Sequence, residues 1–249
     1  MANHVIEIIK QRHHTGSLPD KRNDPFKIAL NVEGGGMRGA STGGMLAALE
    51  ALNLRTAFDV IYGSSSGAYS ASFFAGGNVL TGARFYLDYS QKQFISKKRA
   101  LLGGPIFDLE YVRQIMHHQT PLDYPGVLHN LPPLHIIATD SLRSRPVVLK
   151  GFKTPDELDR GLKASANVPS FRHPKALLFK KHRLLDGSII DPFSIHSAVS
   201  EKNSHILILF SKPWHRKNSP KIVDTRLLKP YLSKVNPHLA EMFLHHGEY

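Results

Sequence analysis

The chain of 249 residues has no cysteine. That single absence excludes a thiol nucleophile, disulfide staples and Cys-ligated zinc, and leaves the redox compartment unread. Long hydrophobic runs are also missing: no stretch approaches the length of a membrane span. The first ten residues are interrupted by Glu7 and are too short for a secretory apolar core. The expected location is therefore the cytoplasm, at most with peripheral membrane contact. Acidic residues are scarce, 20 Asp and Glu against 32 Lys and Arg, for a net charge of +12. That imbalance suits a polyanionic partner, either nucleic acid or an anionic membrane surface. Internal repeats, low-complexity tracts and long linkers are absent too. One α/β domain over 1–249 is the simplest account, with core motifs over about 26–194, a helix and loop over 1–25, and a basic extension over 211–249.

What is present centres on Phe58-Asp59-Val60-Ile61-Tyr62-Gly63-Ser64-Ser65-Ser66-Gly67-Ala68. A β-branched and aromatic run breaks at Gly63, and a small-residue helix begins at once. Gly63-x-Ser65-x-Gly67 is the nucleophile-elbow pattern, in which a sharp strand-to-helix turn lifts a serine hydroxyl clear of the backbone. The flanking glycines let strand and helix approach without Cβ clashes. Ser65 would sit at a helix N-terminus, where unpaired amides favour negative charge. Taken alone, the stretch is equally a Gly/Ser-rich turn without chemistry.

Upstream, Phe26 to Val32 reads as a buried strand that ends at Glu33-Gly34-Gly35-Gly36-Met37-Arg38-Gly39, followed by a helix through Leu52. With the strand at Phe58 this makes a βαβ unit, so the sheet is expected to be parallel at its centre. Gly34-x-Gly36-x-x-Gly39 formally matches a dinucleotide fingerprint. That site wants an acidic residue at the end of the next strand, and Asp59 stands at its beginning. Three glycines at a strand end can instead turn successive amides toward one point and form an oxyanion hole, with Arg38 lending charge or locking the loop. The carboxyl ends of adjacent strands would bring Ser65 beside it.

A serine nucleophile needs a base. Among 15 histidines, His13-His14, His117-His118 and His245-His246 stand in polar pairs, and His173 and His182 in basic surroundings. His196 and His205 follow late enough for a Ser-Asp-His order. Asp186 has the more distinctive context, a strand end followed by Gly187 and approached through apolar residues that would raise its pKa. An ordinary Asp-Gly turn remains the plain alternative.

Glu33 to Gly39, Gly63 to Gly67 and Asp186-Gly187 together resemble the three motif blocks of the patatin-like phospholipases, in that family's order. Lys163-Ala164-Ser165-Ala166-Asn167-Val168-Pro169-Ser170-Phe171 is similar to the segment that precedes the family's aspartate. The similarity spans about Phe26 to Ser194. It implies a three-layer α/β/α sandwich with a mainly parallel central sheet. It also implies Ser65 as nucleophile and Asp186 as base of a dyad without histidine. Gly34, Gly35, Gly36 and Arg38 would form the oxyanion hole, and Gly39, Gly63, Gly67 and Gly187 would shape the backbone. Neither metal nor cofactor is required. Ser188 departs from the usual glycine or alanine; serine is small enough for the turn to survive, and it adds a hydroxyl able to hydrogen-bond Asp186 and lower its basicity.

The activity implied is lipid acyl-ester hydrolysis of phospholipase A or esterase type, through an acyl-enzyme. An acyltransferase using the same intermediate, and a non-catalytic lipid-binding or partner-binding module, are the rivals. Lys175 to Arg183 mixes Lys175, Lys180, Lys181 and Arg183 with Leu177, Leu178 and Phe179. That mixture fits an anionic membrane edge better than a nucleic-acid tail.

Overall fold

The computed structural model describes residues 2–89, 94–96, 98, 99, 102, 104, 107–169, 176–213 and 228–245. Seven strands form its sheet: β1 (Ile28–Val32), β2 (Val60–Ser64), β3 (Leu134–Asp140), β4 (Arg145–Leu149), β5 (Leu177–Phe179), β6 (His182–Asp186) and β7 (His205–Leu209). β7, β1, β2 and β3 are parallel neighbours, as expected, while β4 and β6 pair antiparallel to β3 and β5 pairs antiparallel to β6. The helices are α1 (Ala2–Thr15), α2 (Gly39–Ala51), α3 (Ser66–Gly76), α4 (Val79–Arg84), α5 (Leu109–His118), α6 (Tyr124–His129), α7 (Pro155–Ser165), α8 (Ile195–Ser200), α9 (Lys229–Val235) and α10 (Pro237–His245). α4 continues directly into a π-helical turn over Phe85–Tyr89.

The near-continuous apolar runs of β1 and β2 follow from burial on both faces. Ile28, Leu30, Val32, Ile61 and Ile136 enter the large core with α1, α2 and α3. Their strand neighbours Ala29, Val60, Tyr62 and Ile137 face the opposite side and pack with Ala198 of α8. Leu185 and the turn after it pack with α9 and α10. The sheet is thus flanked by helices on both sides, the α/β/α layering implied by the family resemblance. α3 is buried along nearly its whole length between the sheet and α2 and α4, which its small side chains permit.

Local signals hold at α7. Thr154 Oγ1 accepts the Glu157 amide at 3.2 Å, and Glu157 Oε2 accepts the Lys153 amide at 2.8 Å. The reciprocal bond therefore closes one residue earlier than in a standard capping box. Asp59 lies at the end of the sheet remote from the carboxyl ends. It pairs with Arg12 and Arg22 and accepts the Ile28 amide, a structural duty that agrees with discarding it as a ribose ligand.

One feature of the register builds the site. β3 pairs with β4 on one edge along Ile136 to Asp140. Its other edge pairs with β2 through Ile137, and then with β6 from Ala138 onward. β2 and β6 therefore meet end to end along a single edge of β3, arriving from opposite directions.

Candidate active site

Ser65 follows β2 and precedes α3 with φ 54° and ψ −129°. A non-glycine residue held there stores on the order of 1–3 kcal/mol of strain. The surroundings leave it no relaxed alternative. A Cβ at Gly63 would lie 2.5 Å from Ala68 Cα, and one at Gly67 would lie 2.3 Å from the Val32 carbonyl oxygen. The Ser65 amide donates to Ser165 Oγ at 2.9 Å, and Ser165 Oγ donates to the Ile137 carbonyl at 2.6 Å. The strained turn is thereby tied to β3 through α7.

Asp186 arrives from the other direction, at the end of β6 opposite Ala138. Its carbonyl accepts Thr139 Oγ1 at 2.9 Å, and its amide donates to the Asn167 carbonyl at 3.0 Å. A Cβ at Gly187 would stand 2.2 Å from the Ile137 carbonyl oxygen of β3 and 2.8 Å from Ser64 Oγ of β2, so glycine is required for β6 to end this close to both. Asp186 is 3% exposed. Burial raises its pKa to about 6, against the lowering effect of the Ser65 hydroxyl and of Ser188. Oδ1 accepts the Ser188 amide at 2.8 Å. Oδ2 is buried and has no well-formed partner among the described residues; the Ser65 hydroxyl is near enough to act on the carboxylate without closing a hydrogen bond. Such contacts in unliganded sites commonly tighten when substrate binds. The Ser188 hydroxyl lies 3.0 Å from Ser64 Oγ and also acts on Asp186, in the direction its sequence position suggested.

The glycine loop lies against this pair. A Cβ at Gly34 would fall 2.8 Å from Ser65 Cβ and 2.6 Å from the Ser64 carbonyl oxygen, and Gly36 has φ +59°. The Gly35 amide is not open: it donates to Ser66 Oγ at 2.9 Å. Among the described residues, the amides of Gly34 and Gly36 have no such partner. They leave the loop with unengaged donors beside the first turn of α3, to which Gly35 is bonded through Ser66. Arg38 is exposed and directs Nε to Ser211 Oγ at 3.4 Å, while Ser211 Oγ donates to the Gly34 carbonyl at 3.0 Å. The Ser211 amide in turn donates to the buried Glu33 carboxylate at 2.5 Å. Of the two duties considered for Arg38, this geometry fits locking the loop. A Cβ at Gly39 would fall 2.1 Å from the Tyr86 hydroxyl.

Ser65, Ser66, Ser70 and Gly36 supply polar lining to a cleft whose empty space, counted together with its opening to solvent, is about 720 Å³. Its walls are apolar: Phe73, Phe85, Phe94, Phe107, Val112 and Met116, with Tyr69 and Tyr86. No histidine is among the described residues that line it. His205 instead begins β7 and meets His4 at 3.0 Å, His196 is exposed on α8, and His182 bonds Asp140 at 2.8 Å. His173, Ser170, Phe171, Lys175 and Lys97 lie outside the described residues. No group of three or more His, Asp or Glu side chains among the described residues is placed to hold a metal ion.

The structure brings Ser65, Asp186 and the glycine loop together. Sequence reasoning missed Ser66, Ser165 and Ser211, the hydroxyls that fasten them. Only Ser165 carried a signal, by lying in the quoted segment Lys163 to Phe171.

A serine on a sharp strand-to-helix turn, in a mostly parallel α/β sheet, is the placement of the nucleophile elbow. The patatin-like phospholipase family model matches residues 30–199, and the chain belongs to that family. It is 24% identical over 191 residues to the uncharacterized protein YjjU of Escherichia coli K12, a match covering 76% of this chain and 53% of that protein. Two solved structures are similar at 15% identity: VipD from Legionella pneumophila and ExoU from the type III secretion system of Pseudomonas aeruginosa, the latter in complex with SpcU. VipD gives a TM-score of 0.43 with 68% of this chain and 47% of VipD covered; ExoU gives 0.37 with 90% and 52% covered. The chain thus spans about half the length of the relatives it matches.

Proposed function

We propose that the chain is a serine lipid acyl hydrolase, acting on carboxylic ester bonds of fatty-acyl lipids in the manner of a phospholipase A or esterase. The observation that carries this reading is the strained Ser65, in the lining of a largely apolar cavity and beside the buried, pKa-raised carboxylate of Asp186. The acyl chain lies in the cavity and presents its ester carbonyl to Ser65. As Ser65 Oγ attacks the carbonyl carbon, its proton passes to the Asp186 carboxylate. The carbonyl oxygen becomes an oxyanion and takes hydrogen bonds from Gly34 and Gly36 amides and from the leading amides of α3. Collapse breaks the bond to the leaving alcohol, which receives the proton from Asp186. Water then gives its proton to Asp186 and attacks the acyl-enzyme, and the fatty acid leaves as the proton returns to Ser65.

Arg38 acts in this account through Ser211, by fixing the glycine loop. Gly39, Gly63, Gly67 and Gly187 supply close approach of backbone or side chain, and the whole of 1–249 works as one unit. The test is labelling by a long-chain fluorophosphonate. The wild-type protein should be labelled on Ser65 and Ser65→Ala should not be. A wild-type protein that neither reacts nor hydrolyses any acyl ester overturns the reading.

A further inference from the structure

Beyond the catalytic residues, the carboxyl end of the sheet carries a second built feature. Traced back from Asp186, β6 extends for about five residues, roughly 16 Å at strand spacing, to a tight turn at Lys180 and Lys181, where Lys180 has φ 53°. Beside it rises the β3–β4 turn, Ser141 to Ser144. The two are fastened to each other: Ser141 amide and Oγ both donate to the Arg183 carbonyl at 2.9 Å. Asp140, wholly buried, receives Arg143 Nη1 at 2.9 Å and meets His182 Nδ1 at 2.8 Å. Burial works against the Asp140 charge, but bonds from His182 and Arg143 outweigh it and hold the pKa down to about 2.

Each arm of this rim exposes one leucine, Leu142 at 54% and Leu178 at 64%. Arg143, Arg145, Lys180, Lys181 and Arg183 are exposed around them, and Asp140, the acid among them, is buried and already bonded. We propose that this rim is the face by which the protein seats on an anionic lipid surface, with Leu142 and Leu178 inserting between headgroups and the cations pairing with them. Three observations select that occupant over a protein or a nucleic acid. The charge is of one sign. The apolar side chains stand singly among the cations, as an interface demands, rather than forming a groove. And the rim rises from the same end of the sheet as Ser65, so a seated bilayer faces the catalytic cleft. The inference rests on the lipid hydrolase reading for its biological sense and on the rim alone for its geometry.

The experiment is vesicle sedimentation in the Ser65→Ala background, where no turnover consumes the lipid. Phosphatidylcholine vesicles are compared with phosphatidylcholine–phosphatidylserine vesicles. Binding to the anionic vesicles should be much the stronger and should weaken as salt rises. Lys180→Glu with Lys181→Glu should weaken it by roughly 20-fold or more. Leu142→Ser with Leu178→Ser should weaken it by about tenfold and leave the residue more salt-sensitive. Leu80→Ser with Leu87→Ser, two exposed leucines on the outer side of α4 and its continuation, should bind as the parent does. Unchanged melting temperatures certify folding, since all these side chains are exposed. Equal binding to both vesicles, undiminished binding of either rim variant, loss of binding in the α4 variant, or capture by a DNA duplex in place of vesicles would each overturn the proposal. Because no hydrolysis is measured, that failure leaves the hydrolase reading standing, and fluorophosphonate labelling tests the latter separately.

Discussion

At the scale of single residues the proposed chemistry turns on Asp186, whose pKa near 6 stands above its ordinary 3.8. A general base must be ionised, so hydrolysis of a soluble ester should rise with pH through a midpoint near 6 and then level. Asp186→Asn should lower the rate by about 10²–10⁴ and abolish that limb. The same burial predicts an effect of opposite sign on stability. The native state holds the Asp186 proton more tightly than the unfolded chain does. Stability from the protonated form is present below pH 4 and is lost as pH rises toward 6, on the order of 3 kcal/mol in all. Asp186→Asn should therefore melt higher than wild type at pH 7, with the gap closing as pH falls to 4. A variant that is inactive and also less stable at pH 7 would show that the carboxylate serves packing rather than proton transfer. Ser66 is the residue sequence reasoning passed over, since a second serine beside the nucleophile carries no signal of its own. By holding the Gly35 amide it fixes the loop to the elbow. Ser66→Ala should reduce kcat about tenfold, short of the 10²–10³ lost with an oxyanion donor, with labelling still on Ser65 and Ser66→Thr restoring the rate.

Among the elements, those with local signals were legible. Gly63, Gly67 and the three-glycine loop announce a turn because no other residue fits, and Thr154-Pro155 announces the start of α7. The meeting of β2 and β6 on one edge of β3 was not legible, because it depends on pairing between segments far apart in the chain. The same holds for the cavity, whose walls come from α3, the Phe85–Tyr89 turn and α5, each apolar for reasons that read as ordinary core. Leu177 to Phe179 was read only as an interfacial edge and is also strand β5, too short to show a period. The end-to-end junction makes a sharp prediction. Gly187→Ala places a methyl 2.2 Å from the Ile137 carbonyl oxygen, at a cost of about 1–3 kcal/mol. It should slow Ser65 labelling even where the protein remains folded, because the turn after Asp186 must retreat from β3 and from Ser64. Labelling at the wild-type rate would contradict the junction.

Over the whole molecule, the sequence made plain the excess of positive charge but not its division of labour. Arg12 is buried and bonds Asp24, Asp59, Ala57 and Phe26, clamping α1 to the end of the sheet remote from Ser65. Burial opposes its charge, but the bonds from Asp24 and Asp59 prevail and raise its pKa further. Removing it strips Asp24 of its cation and leaves Asp59 to Arg22 alone, so Arg12→Ala should destabilise by roughly 3 kcal/mol, the low end for breaking a buried pair, read by denaturant unfolding. A loss below about 1 kcal/mol would put Arg12 with the ordinary surface pairs. The rim cations, by contrast, are exposed and act outward. No helix among the described residues is long and apolar enough to cross a membrane.

The proposed hydrolysis stands on a covalent intermediate at one serine of three. Rapid quenching of the protein during turnover of a phospholipid carrying an isotopically labelled acyl chain, followed by peptide mass spectrometry, reads it directly. The labelled acyl group should be found on Ser65, appear and decay with turnover, and be missing from Ser65→Ala. An acyl group on Ser64 or Ser66, or continued hydrolysis by Ser65→Ala, would contradict the assignment.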